Sequence, residues 1–141
     1  MNHPAYDECY LDSMFQKNRY LFVLIARNCS GVFQTIRQYM HGTYRQYMDQ
    51  GNPLYLNKTP KQILGDLGIK LKNEFQVNDN YDEFILEWMA DIYTYMQWKY
   101  NIPSSHICEK IDPEALYNMY YPLHETSIEN GVSKLINIKF V

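Results

Sequence analysis

The segment from residue 82 to residue 100, DEFILEWMADIYTYMQWKY, constrains the fold of this chain more than any other stretch. Apolar or aromatic residues fill nearly every position, and the polar exceptions inside it include Glu83, Glu87, Asp91, Thr94 and Gln97. A helix that is apolar almost all round must be covered on most of its sides. We therefore predict an all-α fold, a helical bundle built around a central aromatic helix over about 82–100.

Hydrophobic spacing predicts helices before this segment as well. Over residues 11–40, apolar residues recur every three or four positions, which is typical of amphipathic helices. Four poor helix formers at 28–31, NCSG, predict a break, with Ser30 as the cap of a second helix that runs to about residue 49. The sequence DQGNP at 49–53 predicts the end of that helix.

Capping residues and prolines indicate where the remaining helices begin. The start signals are Thr59 before Pro60, Ser104 or Ser105 before HICEKI, Asp112 before Pro113, and Thr126 or Ser127 before a last helix over about 127–137. The helix after Asp112 is predicted to stop near residue 121, because Pro122 disfavours helix before it. Residues 69–77 alternate apolar and polar side chains without an evident partner strand, so we predict a loop there. Together these elements predict a single domain, 1–141, of five to seven helices.

Length, cysteine content and the N-terminal residues bound the class of protein. A chain of 141 residues suits one hydrophobic core. Its three cysteines are widely spaced and odd in number, which indicates reduced thiols rather than a disulfide framework. The start MNHPAYDECY lacks the features of a signal peptide, and the apolar run at 20–26 is too short to cross a bilayer. We expect a cytoplasmic protein with no membrane partner.

Three short motifs carry a resemblance to known sequences. They are G-N-P-x-Y at Gly51, Asn52, Pro53 and Tyr55, Y-x-Q-W at Tyr95, Gln97 and Trp98, and Y-x-L-H-E at Tyr121, Leu123, His124 and Glu125. In these motifs the chain resembles a diffuse group of small uncharacterised bacterial proteins, over about residues 50–137. The resemblance implies an accessory or antitoxin-like component of mobile or host-conflict loci, and it implies no known active site.

Histidines beside carboxylates and cysteines raise the question of catalysis or metal binding. His124 and Glu125 are adjacent on a predicted turn, so their side chains point apart rather than converge on one substrate. We interpret His124 as bonded to a backbone carbonyl, with Glu125 near the positive end of the last helix. His106 and Cys108 lack the CxxC or HxxxH spacing of zinc ligands. We predict no catalytic residue, no cofactor and no metal site, while leaving the question of an enzyme open.

Charge is distributed unevenly and suggests an interaction surface. Residues 1–72 hold nine Lys and Arg against five Asp and Glu, whereas residues 73–141 hold four against eleven. Two columns of like charge follow at helical spacing: Arg37, His41 and Arg45, and Glu83, Glu87 and Asp91. Like charges one turn apart repel, so each column needs a neutralising partner. Either the columns pair with each other inside the bundle, or one of them meets another molecule.

These observations favour a non-catalytic protein that binds another macromolecule, most readily a protein. The central helix must be enclosed, so Glu87 and Asp91 are expected inside, whereas Arg37 and Arg45 are expected to stay exposed. We predict a partner-binding surface comprising Arg37, His41, Tyr44 and Arg45, since tyrosine and arginine are enriched at interface hot spots. The alternative is a small RNA-binding protein or ribonuclease that uses the Arg37/His41 helix face, although the net charge of −3 disfavours nucleic acid. Self-association is left open.

Overall fold

The computed structural model describes residues 3–140, which form ten α-helices and no β-strand. In chain order these are α1 (Leu11–Asn28), α2 (Val32–His41), α3 (Thr43–Asp49), α4 (Pro53–Leu56), α5 (Pro60–Asp66), α6 (Glu83–Tyr100), α7 (Ser104–Lys110), α8 (Pro113–Asn118), α9 (Tyr120–Leu123) and α10 (Ile128–Lys139). The predicted all-α fold is confirmed. The helices outnumber the predicted five to seven because one predicted helix is split in two and because α4 and α9 are single turns.

Helix α6 is the central helix, as its composition predicts. It packs along α1 and also contacts α7, α8 and α10. Eleven of its 18 residues are buried, and most of the buried apolar side chains of the described residues form one cluster around it. Among the large apolar residues of α6, Phe84 in the first turn is the one with an exposed side chain, at 76% exposure. The helix ends at Asn101, which adopts a left-handed conformation with φ 52°.

Three of the predicted helix starts are confirmed by their hydrogen bonds. Thr59 forms a capping box with Gln62 at the start of α5, where each side chain bonds the backbone N–H of the other residue. The Asp112 carboxylate accepts from the backbone N–H of Glu114 at the start of α8. The Ser127 hydroxyl accepts from the backbone N–H of Asn130 at the start of α10. These contacts satisfy helix N–H groups that have no partner within their own helices.

Other predicted boundaries are wrong, and the clearest case is the helix predicted to run to residue 49. It is interrupted at Gly42, which has an extended backbone with φ −75° and ψ 156°. The predicted end near residue 49 is confirmed, because α3 ends at Asp49. Pro53 then begins the single turn α4, where the Asn52 side chain caps the backbone N–H of Leu54. Pro122 lies inside α9, where a first-turn position needs no backbone N–H.

Two predicted serine caps are also wrong. Gly31, not Ser30, occupies the cap position of α2, and no side chain bonds the helix start there. The cap position of α7 is Pro103, and the hydroxyl of Ser104 donates to the buried carboxylate of Asp49. The Ser104 side chain, which the local sequence predicts as a helix cap, instead forms a tertiary hydrogen bond with Asp49.

The segment between α5 and α6 has no regular secondary structure, which confirms the loop predicted over 69–77. Its backbone is held against the end of α1. The Asn28 side-chain oxygen accepts from the backbone N–H groups of Lys72 and Asn73, and the Asn78 amide donates to the carbonyl of Ala26. Arg27 donates to the carbonyl of Glu74 at 2.6 Å. No helix within residues 3–140 is long and apolar enough to cross a membrane.

Candidate functional site

The four residues predicted to bind a partner do not share one surface. His41 is exposed, Arg37 is partly exposed, Tyr44 is half-buried, and Arg45 is 1% exposed. The predicted exposure of Arg45 is therefore wrong. The spacing of residues 37, 41 and 45 describes one column only on an uninterrupted helix, and the extended backbone at Gly42 breaks that phase.

Arg37 is already paired within the chain. Its Nε lies 2.5 Å from Asp112 Oδ1, and its Nη2 lies 3.0 Å from Asp112 Oδ2. The guanidinium lowers the pKa of Asp112, and the carboxylate in turn raises the pKa of Arg37. Asp112 also caps α8, so this pair fixes the start of α8 against α2. The Arg37/His41 face therefore presents an arginine that already has a carboxylate partner, which weakens the case for RNA binding or ribonuclease chemistry.

Arg45 belongs to a buried polar network rather than to a binding surface. Its Nε donates to Ser104 Oγ at 2.8 Å and lies 3.2 Å from Asp49 Oδ1. Ser104 donates to Asp49 from both its hydroxyl and its backbone N–H, each at 2.7 Å. Arg45 Nη1 also donates to the Tyr39 hydroxyl at 3.2 Å. These bonds satisfy a charge that would be costly to bury alone, and they join α3 to α2 and α7.

The same network continues into the centre of the bundle. The Tyr39 hydroxyl donates to Asn18 Oδ1 at 2.9 Å, and Asn18 Nδ2 donates to Thr94 Oγ1 at 3.0 Å. Tyr6 lies near the charged end of the network, and burial raises its pKa to about 12. Ser104 is fully buried, so its hydroxyl is not accessible to a substrate. The network is therefore structural, linking α1, α2, α3, α6 and α7.

The acidic column of α6 is neutralised by α1, not by the basic column. Arg19 Nε lies 2.5 Å from Asp91 Oδ1, and Arg27 makes two hydrogen bonds to Glu83, of 2.7 and 2.8 Å. The alternative in which this column pairs with Arg37 and Arg45 is therefore wrong. Glu87 lies between the two pairs and has no ion-pair partner within residues 3–140. Burial raises the pKa of Glu87.

His124 has a structural position, in line with the sequence interpretation. Its Nδ1 lies 2.8 Å from the carbonyl oxygen of Tyr120, and its ring stacks on the Tyr120 ring with centroids 4.3 Å apart.

Burial raises the pKa of the Cys108 thiol to about 11, so this sulfur is protonated near neutral pH. Within residues 3–140, no group of three or more His, Cys, Asp or Glu side chains is close enough to hold a metal ion.

A surface patch of tyrosines forms where α3 and α4 meet. The Tyr55 ring stacks on Tyr47, with centroids 4.8 Å apart, and meets Tyr44 nearly at a right angle at 4.9 Å. Tyr47 is 39% exposed, and Leu54, which precedes Tyr55 on α4, is 74% exposed. We call Tyr44, Tyr47, Leu54 and Tyr55 the tyrosine patch.

Three members of the tyrosine patch line an open concavity of about 360 Å³. Tyr44, Leu54 and Tyr55 form its apolar walls, and Lys58 and Asp66 supply charges of opposite sign. Burial, reinforced by the Asp66 carboxylate, raises the pKa of Tyr44, so its hydroxyl stays protonated. The concavity is thus a mostly apolar recess with two groups of opposite charge.

Comparison with known proteins adds no relative from which a role is transferred. No family model, curated protein or solved structure matches this chain. The functional argument therefore rests on the geometry of the described residues.

Of the tyrosine patch, only Tyr44 is among the residues predicted from sequence to bind a partner. Tyr55 is part of the G-N-P-x-Y motif, so a signal for this region was present in the sequence. The exposure of Leu54 had no such signal, because it depends on how the single turn of α4 packs on α3.

Proposed function

We propose that this protein is a non-catalytic interaction module whose tyrosine patch binds a partner protein. The observation that carries the proposal is Leu54, a large apolar side chain left 74% exposed at the edge of a concavity walled by tyrosines. Single exposed leucines are common on protein surfaces. Here the aromatic recess can receive a side chain of the partner, while Leu54 itself can pack against the partner.

The chemistry of the patch fits a protein better than a small polar substrate. Tyrosine supplies a large rigid contact area with a polar tip, and it is enriched at interface cores. Lys58 and Asp66 offer one charge of each sign at the recess, which suits mixed polar contacts around an apolar side chain of the partner. The occupant we propose for the recess is therefore one aliphatic or aromatic side chain of a partner protein.

An antitoxin-like or inhibitor role in a bacterial conflict system is the specific form of this proposal. It is supported by the resemblance of the G-N-P-x-Y, Y-x-Q-W and Y-x-L-H-E motifs to those of the small bacterial proteins described above. In that role the partner would be the toxin or effector that the protein restrains, and the tyrosine patch would cover part of the partner's surface.

The proposal is tested by capturing partners from the native host with wild-type protein and with Leu54→Asp. The matched control is Ile138→Asp on α10, because Ile138 is 69% exposed and lies outside the tyrosine patch. A true partner should be captured by wild type and by Ile138→Asp at about one partner molecule per bait molecule. It should be lost with Leu54→Asp. Purified partner and protein should then bind in calorimetry with the same dependence.

A charge placed in an apolar recess opposes the entry of an apolar side chain, which is the reason for choosing aspartate. Circular dichroism and thermal unfolding establish that both variants remain folded. If Leu54→Asp retains every captured protein as well as Ile138→Asp does, the tyrosine patch is not the binding surface.

A further inference from the structure

A second concave surface lies at the start of α6 and is formed by residues later in the chain than those of the tyrosine patch. It is a groove of about 620 Å³ lined by Val77, Asp79, Asn80, Tyr81, Asp82, Glu83, Phe84 and Tyr117. We call it the acidic groove. None of its lining residues belongs to the tyrosine patch, so an inference about it stands independently of the proposed function.

The backbone of the acidic groove is held in place from two sides. The Asp82 carboxylate caps α6 by accepting from the backbone N–H of Phe84 at 2.9 Å. The backbone N–H of Asp82 donates to the Tyr117 hydroxyl of α8, also at 2.9 Å. Asn78, just outside the groove, ties the preceding segment to α1 through the carbonyl of Ala26. These bonds hold the groove in place, although most of its lining residues belong to the segment without regular structure before α6.

The two tyrosines that line the groove belong to an aromatic cluster. Tyr81 and Tyr117 each pack edge-on against Phe33 of α2, with ring centroids 5.4 Å apart in both pairs. The two tyrosines are 6.2 Å from each other, again edge to face. Because Phe33 packs against the main core, these rings are held at fixed positions. Tyrosine rings attract cations to their faces.

Large apolar side chains on the groove are left exposed. Phe84 is 76% exposed and Val77 is 52% exposed, whereas the other large apolar side chains of α6 are buried or half-buried. Exposed apolar surface beside polar residues is typical of a surface that a partner covers.

The charge on the groove is of one sign. Asp79, Asp82 and Glu83 are acidic, and no Lys, Arg or His lines the groove. Arg27 neutralises Glu83 through two hydrogen bonds, but Asp79 and Asp82 have no ion-pair partner within residues 3–140. Two carboxylates without an ion-pair partner, beside the exposed side chains of Phe84 and Val77, match a ligand that combines positive charge with an aliphatic stem.

We propose that the acidic groove binds a basic segment of a partner protein. A lysine or arginine of that segment lays its methylene stem on Phe84 and Val77 and directs its charge to Asp79 and Asp82. An apolar residue next to the basic one covers the remaining exposed surface of Phe84. A peptide segment is favoured over a free small cation because the exposed Phe84 and Val77 side chains need apolar cover that a small hydrophilic cation does not supply.

The test is selection of a display library of random peptides on the immobilised wild-type protein. Enriched sequences should carry Lys or Arg beside an aliphatic or aromatic residue. Their dissociation constants, measured by fluorescence anisotropy, should rise about tenfold or more with Phe84→Ser and with the double change Asp79→Asn, Asp82→Asn. Added salt should weaken binding to wild type, because exposed charges are screened.

The variants are chosen so that the fold survives. Phe84 is exposed, so serine leaves no cavity, and asparagine at position 82 still caps a helix. Thermal unfolding checks both. Leu54→Asp serves as the matched control and should leave peptide binding unchanged, which separates this inference from the proposed function.

Three results would overturn the proposal. One is that no sequence is enriched, or that the enriched sequences lack basic residues. Another is that they bind Phe84→Ser and the double asparagine variant as tightly as wild type. The third is that sedimentation shows wild type to be a dimer that Phe84→Ser converts to a monomer, which would make the groove a self-association surface.

Discussion

Arg45 and Asp49 face each other across one turn of α3, with Arg45 Nε 3.2 Å from Asp49 Oδ1 and only 2% and 10% of the two side chains exposed. Ser104 of α7 bonds to both, so the pair holds two helices together. Breaking a buried pair leaves the remaining charge without a partner. We expect Arg45→Ala to lower the free energy of unfolding by about 3–5 kcal/mol, measured by urea denaturation.

Arg37→Ala is the matched comparison, because Arg37 pairs with Asp112 while about 38% of its side chain is exposed. Exposed pairs contribute about 0–1 kcal/mol, so this change should cost far less. Equal losses for the two variants would contradict the assignment of Arg45 to the interior.

A double-mutant cycle tests which arginine neutralises the acidic column of α6. Arg27 and Glu83 share two hydrogen bonds, so Arg27→Ala and Glu83→Ala should show a coupling energy of about 0.5–3 kcal/mol in stability. Arg45 and Asp91 share no partner, and the same cycle on them should be additive within about 0.3–0.5 kcal/mol. Coupling in the second cycle and not in the first would restore the alternative in which the two charged columns pair with each other.

Glu87 makes stability depend on pH in a direction set by burial. Burial raises its pKa above the ordinary value of 4.5, so the native state holds this proton more tightly than the unfolded chain does. The resulting destabilisation is absent below pH 4.5 and grows as the pH rises from 4.5 through the raised pKa. We expect Glu87→Gln to unfold at a higher temperature than wild type near neutral pH and at a similar temperature in acid.

The control for that measurement is Glu129→Gln, an exposed glutamate at the start of α10. It removes the same charge without removing a buried one, so it should not reproduce the gain at neutral pH. A pH-independent difference between Glu87→Gln and wild type would show that the effect comes from packing rather than from the proton.

His124 is expected to contribute to stability and not to activity. Loss of its contact with the Tyr120 carbonyl, in His124→Ala, should lower the free energy of unfolding by about 0.5–1.5 kcal/mol. His41→Ala, at an exposed position on α2, should stay within about ±0.5 kcal/mol. A His124→Ala protein of unchanged stability that no longer bound its partner would assign His124 a functional role instead.

Local signals predicted much of the fold correctly. The almost wholly apolar segment at 82–100 predicted a central helix, because such a surface is stable only when other helices cover it. Thr59, Asp112 and Ser127 predicted helix starts, since a side-chain oxygen at that position satisfies a nearby backbone N–H whatever the rest of the chain does. These predictions succeeded because each depends on residues within a few positions of one another.

The candidate sites depended on tertiary structure. The column of Arg37, His41 and Arg45 assumed one continuous helix, and the extended backbone at Gly42 turns α3 so that Arg45 points into the bundle. A glycine at position 42 is compatible with a helix break, but the residue type does not determine the angle between α2 and α3. Ser104 likewise resembles a cap until Asp49, 55 residues away, competes for its hydroxyl.

Sequence by itself determined that this chain is all-α, that one aromatic helix lies at its centre, and that helices begin after Thr59, Asp112 and Ser127. Tertiary structure alone decided which charges are buried, which arginine meets which carboxylate, and which apolar side chains stay exposed at the tyrosine patch and the acidic groove. The physical reason is range. Helix propensity and capping act over one turn, whereas burial and ion pairing depend on which faces of distant helices meet.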